Sequence, residues 1–214
     1  RKAAASGSSM RNVLDQAVLE ETGAKVLWWQ AFGRNIYLNR GNPIRTPADL
    51  NGQKVRTYGK VLGWTVEALG GVPTLMSGSK QFLAYQQGAV DVGMTGASTV
   101  KSRKLYEVMH NMTLSYDSAI EFVAVMNNDF FNALSKAHQR IILNAAARVE
   151  KELRDQVYAG EASMVKEVED KINVIHLSDA ERAQWVDATK SVVDRFVKEN
   201  GSVAEQVVAA GRGL

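Results

Sequence analysis

Apolar residues fall along this chain in short runs whose spacing switches between two periods. Over residues 10–21 they stand at Val13, Leu14, Ala17 and Val18, the stripe of an amphipathic helix. Thr22-Gly23 stops that helix, glycine being suited to the left-handed position past a helix end. Residues 25–30 (KVLWWQ) read as a buried strand, and 33–42 as a polar stretch leading to Pro43. Thr46-Pro47-Ala48-Asp49-Leu50 opens a helix with Thr46 as N-cap, Pro47 at N1 and Asp49 at N3. Asn51-Gly52 limits it to one turn. Residues 54–57 (KVRT) are a strand and 60–69 a helix ended by Gly70-Gly71. The order repeats with a strand at 74–76, a helix over 80–87, Gly88 as its stop and a strand at 89–93.

Further on, 100–108 reads as a helix and 121–126 (EFVAVM) as an apolar strand. Ser135 caps a helix that continues to about residue 171 with only Gly160 interrupting, on the order of 50 Å long at 1.5 Å per residue. Residues 173–176 are a strand or turn. Ser178-Asp179-Ala180-Glu181 is a capping box opening a last helix to about residue 198, and 201–214 reads as a frayed tail. Strands alternating with helices of about ten residues predict an α/β fold on a parallel sheet.

Composition changes this picture little. At 214 residues the chain is one large domain or two small ones, with 45% hydrophobic and 23% charged residues. The 26 Lys and Arg against 23 Asp and Glu leave a formal +3, too slight to indicate nucleic-acid binding. The absence of Cys excludes disulfides, thiolate zinc sites and cysteine nucleophiles. No apolar run approaches the roughly 18 residues of a membrane span. The opening residues offer a basic start at Lys2 but no apolar stretch, which leaves a removed signal or a chain beginning partway through a longer protein.

Candidate chemistry is sparse. His110, His138 and His176 lie far apart with no carboxylate motif beside them, the distribution of surface or satisfied core histidines rather than metal ligands. No nucleophile-elbow, zincin, Walker or dinucleotide-binding motif occurs, and Gly93-Met94-Thr95-Gly96 lacks the lysine of a phosphate loop. No cofactor is expected. What stands out is arginine at strand ends. Arg56 closes the KVRT strand just before a Tyr58-Gly59 turn, where ligands of open α/β sheets bind. Its planar fork matches a carboxylate; the other reading is a surface arginine paired with Asp49 or Glu67. Arg34 has a similar placement after Gly33. Of Trp28 and Trp29, adjacent on a strand, one faces away from the other, half core and half cleft wall.

Four segments read together resemble a known family: 49–57 (DLNGQKVRT), 69–76 (LGGVPTLM), 85–91 (YQQGAVD) and 104–108 (KLYEV), followed by 133–140 (ALSKAHQR) before the long helix. In order and spacing they are similar to the DctP-like solute-binding proteins of tripartite ATP-independent periplasmic (TRAP) transporters, over about residues 12 to 199. The resemblance implies a two-lobe periplasmic binding protein architecture, type II-like, with a long interdomain helix and an incomplete lobe I. Residues 1–32 would be a lobe I remnant and 33–118 the ligand-binding lobe II. Residues 119–160 would return to lobe I and start the long helix, and 161–214 would pack on lobe II. It implies roughly a hundred further residues before the first helix, hence a truncated, proteolysed or incompletely recorded form, with the missing segment or another chain covering lobe I.

The same resemblance implies a periplasmic protein that captures a small organic acid, without catalysis, and docks on membrane permease subunits. The carboxylate-pairing arginine falls on Arg56 and a second pocket arginine near Arg34. The family's ligand-binding Asn position is held by Thr95, flanked by Met94 and Gly96, and an aromatic that lines the cleft is replaced by Gly78. Tyr58, Trp64 and Tyr116 are candidate walls. These replacements suggest a roomier, less polar site for a bulkier or more apolar monocarboxylate. Rival readings are a ligand-binding sensor module of a signalling system and an α/β enzyme acting on carboxylates.

Overall fold

A computed structural model of the chain describes residues 4–212. The first helix, α1 (Ser9–Thr22), is capped by the Ser8 hydroxyl, which accepts from the Arg11 N–H. It ends at Gly23, whose φ of 67° lets its N–H close on the Leu19 carbonyl. Strand β1 (Ala24–Asn39) is one 16-residue element, longer than the six residues expected. The polar stretch continues the strand because its asparagines find partners: Asn39 Nδ2 donates to the Asn42 carbonyl at 2.6 Å and Asn35 Nδ2 to Asp117 at 2.9 Å. A 3-10 turn over Pro47–Leu50 follows, with the Asp49 carboxylate accepting from the N–H groups of Arg45 and Thr46.

Next come β2 (Lys54–Thr57), α2 (Lys60–Ala68), β3 (Val72–Leu75), α3 (Gln81–Gln86) and β4 (Val92–Gly96). The glycine-rich GMTG segment is thus a wholly buried strand, three residues later than expected. Helix α4 (Ala97–Ser102) stops early: Lys104 takes a left-handed φ of 50° and a 3-10 turn over Leu105–Glu107 replaces its predicted second half. Strand β5 (Asn111–Leu114) was not expected. Then follow β6 (Ala119–Asn127), α5 (Asn128–Ala133), α6 (Lys136–Lys166), β7 (Asn173–His176) and α7 (Asp179–Arg212). Ser135 caps α6 and the Ser178–Glu181 box opens α7. The expected frayed tail is helical to Arg212, past a break at Gly201 (φ 60°, ψ −141°), with Ala204 buried.

The chain divides into two compact units. Unit 1 holds the residues up to Phe32, Glu121–Tyr158 and those from Arg195; unit 2 holds Gly33–Ile120 and Ala159–Asp194. The segment from Arg195 on therefore clusters with the first helix, not with the ligand-binding lobe as expected for 161–214.

Unit 2 is built on a sheet of order β3-β2-β4-β1-β5-β7. The expectation of a parallel sheet needs correcting: β2 is parallel to β3 and β4, and β5 to β7, but β1 lies antiparallel to both β4 and β5. Alternation along β1 divides its side chains between two cores. Ile36 and Leu38 join Tyr85, Val100, Met112 and Val168 on one face, and Tyr37 joins Val55, Val92, Met94 and Trp185 on the other. In unit 1, β6 pairs with β1, and Arg11, Glu150 and Arg154 form a buried ionic cluster.

Candidate functional site

Because β2, β3 and β4 run parallel, their carboxyl ends meet at one edge of the unit 2 sheet, the position where open α/β sheets take ligands. In register, Arg56 stands opposite Thr74 on β3 and Gly93 on β4. Val55 faces the core of Tyr37, so alternation turns Arg56 to the other face, shared with Thr95. Met94 points the opposite way and is fully buried beside Tyr37 and Trp185. Of the expected ligand contacts, then, Met94 brings only its backbone to this site.

Arg56 is 3% exposed. Its Nε and Nη2 donate to the Met76 carbonyl at 3.1 and 2.9 Å, and Nη1 donates to the Met94 carbonyl at 2.6 Å. A guanidinium has five N–H groups. These bonds use three and leave one N–H on each terminal nitrogen, donors of the kind a carboxylate accepts from. Arg56 pairs with neither Asp49 nor Glu67, and no other carboxylate among the described residues lies within ion-pair distance. Burial pushes its pKa down, as does the nearby Arg103 guanidinium, against the opposing influence of Tyr85 and Tyr58. A buried cation without a counter-ion is costly, and an incoming anion relieves that cost.

The surroundings explain how the sequence holds this group. Tyr85 is fully buried, with its hydroxyl donating to Gln81 Oε1 at 3.0 Å. A Cβ at position 93 would lie 2.0 Å from that hydroxyl, so glycine is what lets the ring pack beside the strand. The Tyr58 ring centroid lies 5.1 Å from Arg56 Cζ, and its hydroxyl donates to Asn35 Oδ1 at 3.2 Å. Burial, reinforced by Asp117, holds the Tyr58 hydroxyl well above the usual phenol pKa. Asp117 gathers the polar ends together, accepting from Asn35, Tyr37 and Ser115.

The other expected residues separate. Arg34 donates through its backbone N–H and its Nε to Glu161, at 2.8 and 2.6 Å, and its Cζ sits 3.4 Å from the Tyr116 ring centroid. Its charge is thus balanced by a buried carboxylate. Tyr116 holds a left-handed φ of 51°, uncommon for a bulky residue. Gly96 caps α4 after Thr95. Trp64 is buried on α2, with the Lys60 ammonium 5.1 Å from its ring. Trp28 and Trp29 belong to unit 1, where the Trp29 indole donates to Asp15 at 2.7 Å and that of Trp28 to Gln30 at 3.4 Å.

Gly78 does not open a void. A Cβ there would meet Nη1 of Arg103 at 2.4 Å, so the expected extra room is filled by a guanidinium. Arg103, Tyr85 and Gly93 were all missed in the sequence. The one signal they carried was two glycines spaced to allow close approach on neighbouring elements.

Residues 2–200 match the family described as bacterial extracellular solute-binding protein, family 7, DctP. A solute-binding protein of Verminephrobacter eiseniae is 29% identical over 209 residues, 94% of this chain and 62% of that protein. The chain thus spans about six tenths of that relative. Among solved structures, the periplasmic ectoine-binding protein of the TeaABC TRAP transporter of Halomonas elongata superposes with a TM-score of 0.89 at 21% identity, covering 97% of this chain and 69% of that one. A TRAP periplasmic solute-binding protein of Ralstonia eutropha, with bound (S)-2-acetolactate, superposes at 0.82 with 28% identity, over 95% of this chain and 70% of that one. The match of the family over nearly the whole chain and the parallel-strand edge bearing Arg56 lead to one conclusion: the chain belongs to the DctP family of TRAP transporter solute-binding proteins, which is periplasmic and non-enzymatic.

Proposed function

We propose that the protein captures a small organic acid by its carboxylate, with Arg56 as the anchor, and delivers it to the membrane permease subunits of a TRAP transporter. The observation that carries this reading is the buried Arg56 guanidinium, held by backbone carbonyls, short of a counter-ion and with one N–H left on each terminal nitrogen. The compounds named for relatives support it: ectoine, 2,3-diketo-L-gulonate, C4-dicarboxylates, succinate, galacturonate and orotic acid all carry a carboxylate. Thr95, on the same face as Arg56, adds a hydroxyl, and Tyr58 an aromatic wall.

The test begins with native mass spectrometry of the full-length protein to identify a co-purified acid. Calorimetry with that acid should then show Arg56→Ala losing at least about 2–3 kcal/mol of binding, the cost of removing a buried charged partner. Thermal melting without ligand separates this loss from that of the carbonyl bonds Arg56 makes within the fold. An affinity unchanged in Arg56→Ala overturns the anchor.

A further inference from the structure

We propose that the turn after β3 is an electrostatic funnel, in which Lys80 and Arg103 draw carboxylates from solution to the mouth of the Arg56 site without binding them. The inference rests on Arg56 as the anchor. Between residues 55 and 106 the chain carries six cations, Arg56, Lys60, Lys80, Lys101, Arg103 and Lys104, against two acids, Glu67 and Asp91. The fold sends both acids to the amino edge of the parallel strands. Asp91 precedes β4 and accepts from the Lys54 N–H at 2.9 Å, where β2 begins. Glu67 lies in the last turn of α2, just before Gly70, whose carbonyl accepts from the Gly52 N–H ahead of β2. The carboxyl edge holds the opposite charge. Lys60 opens α2 after β2, with its ammonium 5.1 Å from the Trp64 ring, and Lys80 closes a 3-10 turn, Gly78–Lys80, after β3. Arg103 reaches that same turn from the end of α4: a Cβ at Gly78 would be 2.4 Å from its Nη1. Gly78 is not in the left-handed region, so what glycine provides there is space for the guanidinium.

Lys80 and Arg103 also lack a local counter-charge. Lys101 is offset by Glu167, Arg34 by Glu161 and Arg45 by Glu181, whereas neither Lys80 nor Arg103 meets a carboxylate among the described residues. Both are exposed, in contrast to the enclosed Arg56. That difference sets their roles. Contact between an exposed cation and an anion adds little to affinity, because hydration and side-chain entropy offset it. The field of the same cation reaches about 8 Å at physiological salt. Arg103 lies on Gly78 and Arg56 on the Met76 carbonyl, two residues and at most about 7 Å of chain apart, so the anchor stands within that field. Burial lowers the Arg56 pKa and the Arg103 charge lowers it further; an approaching carboxylate meets the same field with the opposite sign. Charges at a rim act on the rate of encounter, and a buried partner acts on the rate of escape.

The experiment measures the field itself, using the full-length protein and two nitroxide co-solutes of nearly the same shape, the anion 3-carboxy-PROXYL and the neutral 3-carbamoyl-PROXYL. Each speeds proton relaxation in proportion to its local concentration. At low salt, amide protons of residues 77–80 should relax at least about threefold faster with the anion, the enrichment expected of one or two unit charges about 7 Å away. Those of residues 88–91, at the amino edge, should relax no faster with it. Added salt should erase the difference. Replacing both cations, Lys80→Gln with Arg103→Gln, should lower the ratio at 77–80 at least about twofold, and Lys80→Arg with Arg103→Lys should preserve it. A ratio near one in the unmodified protein, or one unchanged by the glutamine pair, overturns the funnel. So does a ratio that saturates with probe concentration, which marks a bound carboxylate instead of a field. The ratios do not depend on what Arg56 holds, so the anchor fails or stands separately, by calorimetry of Arg56→Ala.

Discussion

Among the described residues each unit buries arginine, and the two units balance it differently. In unit 1, Glu150 accepts from Arg11, lies 3.6 Å from Arg154 and also accepts from the Trp29 N–H, while Arg154 forks onto both oxygens of Glu121 at 2.7 and 3.1 Å. Burial works against the Arg154 charge, but Glu121 and Glu150 outweigh it and raise its pKa. Each arginine of that cluster thus meets carboxylates, with Arg154 Nε alone left without a hydrogen-bond partner. Glu150→Ala would leave Arg11, 5% exposed, with Asp15 and Arg154, 7% exposed, with Glu121, and should cost about 1–3 kcal/mol, read as a lower midpoint in urea denaturation. A loss below about 1 kcal/mol would show that water reaches the pair. In unit 2, Arg56 is as deeply buried but meets only carbonyl oxygens, which is the physical ground for giving it a guest rather than a structural partner.

At the scale of elements, the caps connect local sequence to stability against acid. Burial of Asp49 opposes its charge, but the N–H groups of Thr46 and Arg45 and the Thr46 hydroxyl outweigh it and hold its pKa below the ordinary value. A carboxylate depressed in the folded state contributes stability that is full above its unfolded pKa and is lost as pH falls through the folded one. Asp49→Asn should therefore lower the melting temperature at neutral pH and narrow the gap to the unmodified protein as pH drops below about 4. Equal differences at both pH values would contradict this. Caps of this kind were legible in the sequence because Thr46-Pro47-Ala48-Asp49 and Ser178-Asp179-Ala180-Glu181 carry their chemistry locally. The KVRT strand and the long helix were legible too, from their periodicity. The antiparallel course of β1 was not, because its direction is set by pairing with β4 and β5, which lie far away in the chain. Nor was GMTG as a strand: two glycines there look like a loop until Tyr85 is seen to need the space over Gly93. Arg56 could be placed at a strand end from its sequence, but its partners are backbone carbonyls, which no side-chain pattern reveals.

Taken as a molecule, unit 2 carries the residues of the candidate site, and both units display large apolar side chains, Leu75 and Leu83 in unit 2 among them. In unit 1 Phe122, Val125, Phe130 and Ile141 are 50–63% exposed. The function itself is decided at Arg56, and the most direct measurement is a crystal structure of the full-length protein with its co-purified acid. The account predicts carboxylate oxygens within hydrogen-bond distance of Nη1 and Nη2 of Arg56, with the Met76 and Met94 carbonyls still in place. An acid held by other groups, with Arg56 touching only those two carbonyls, would contradict it.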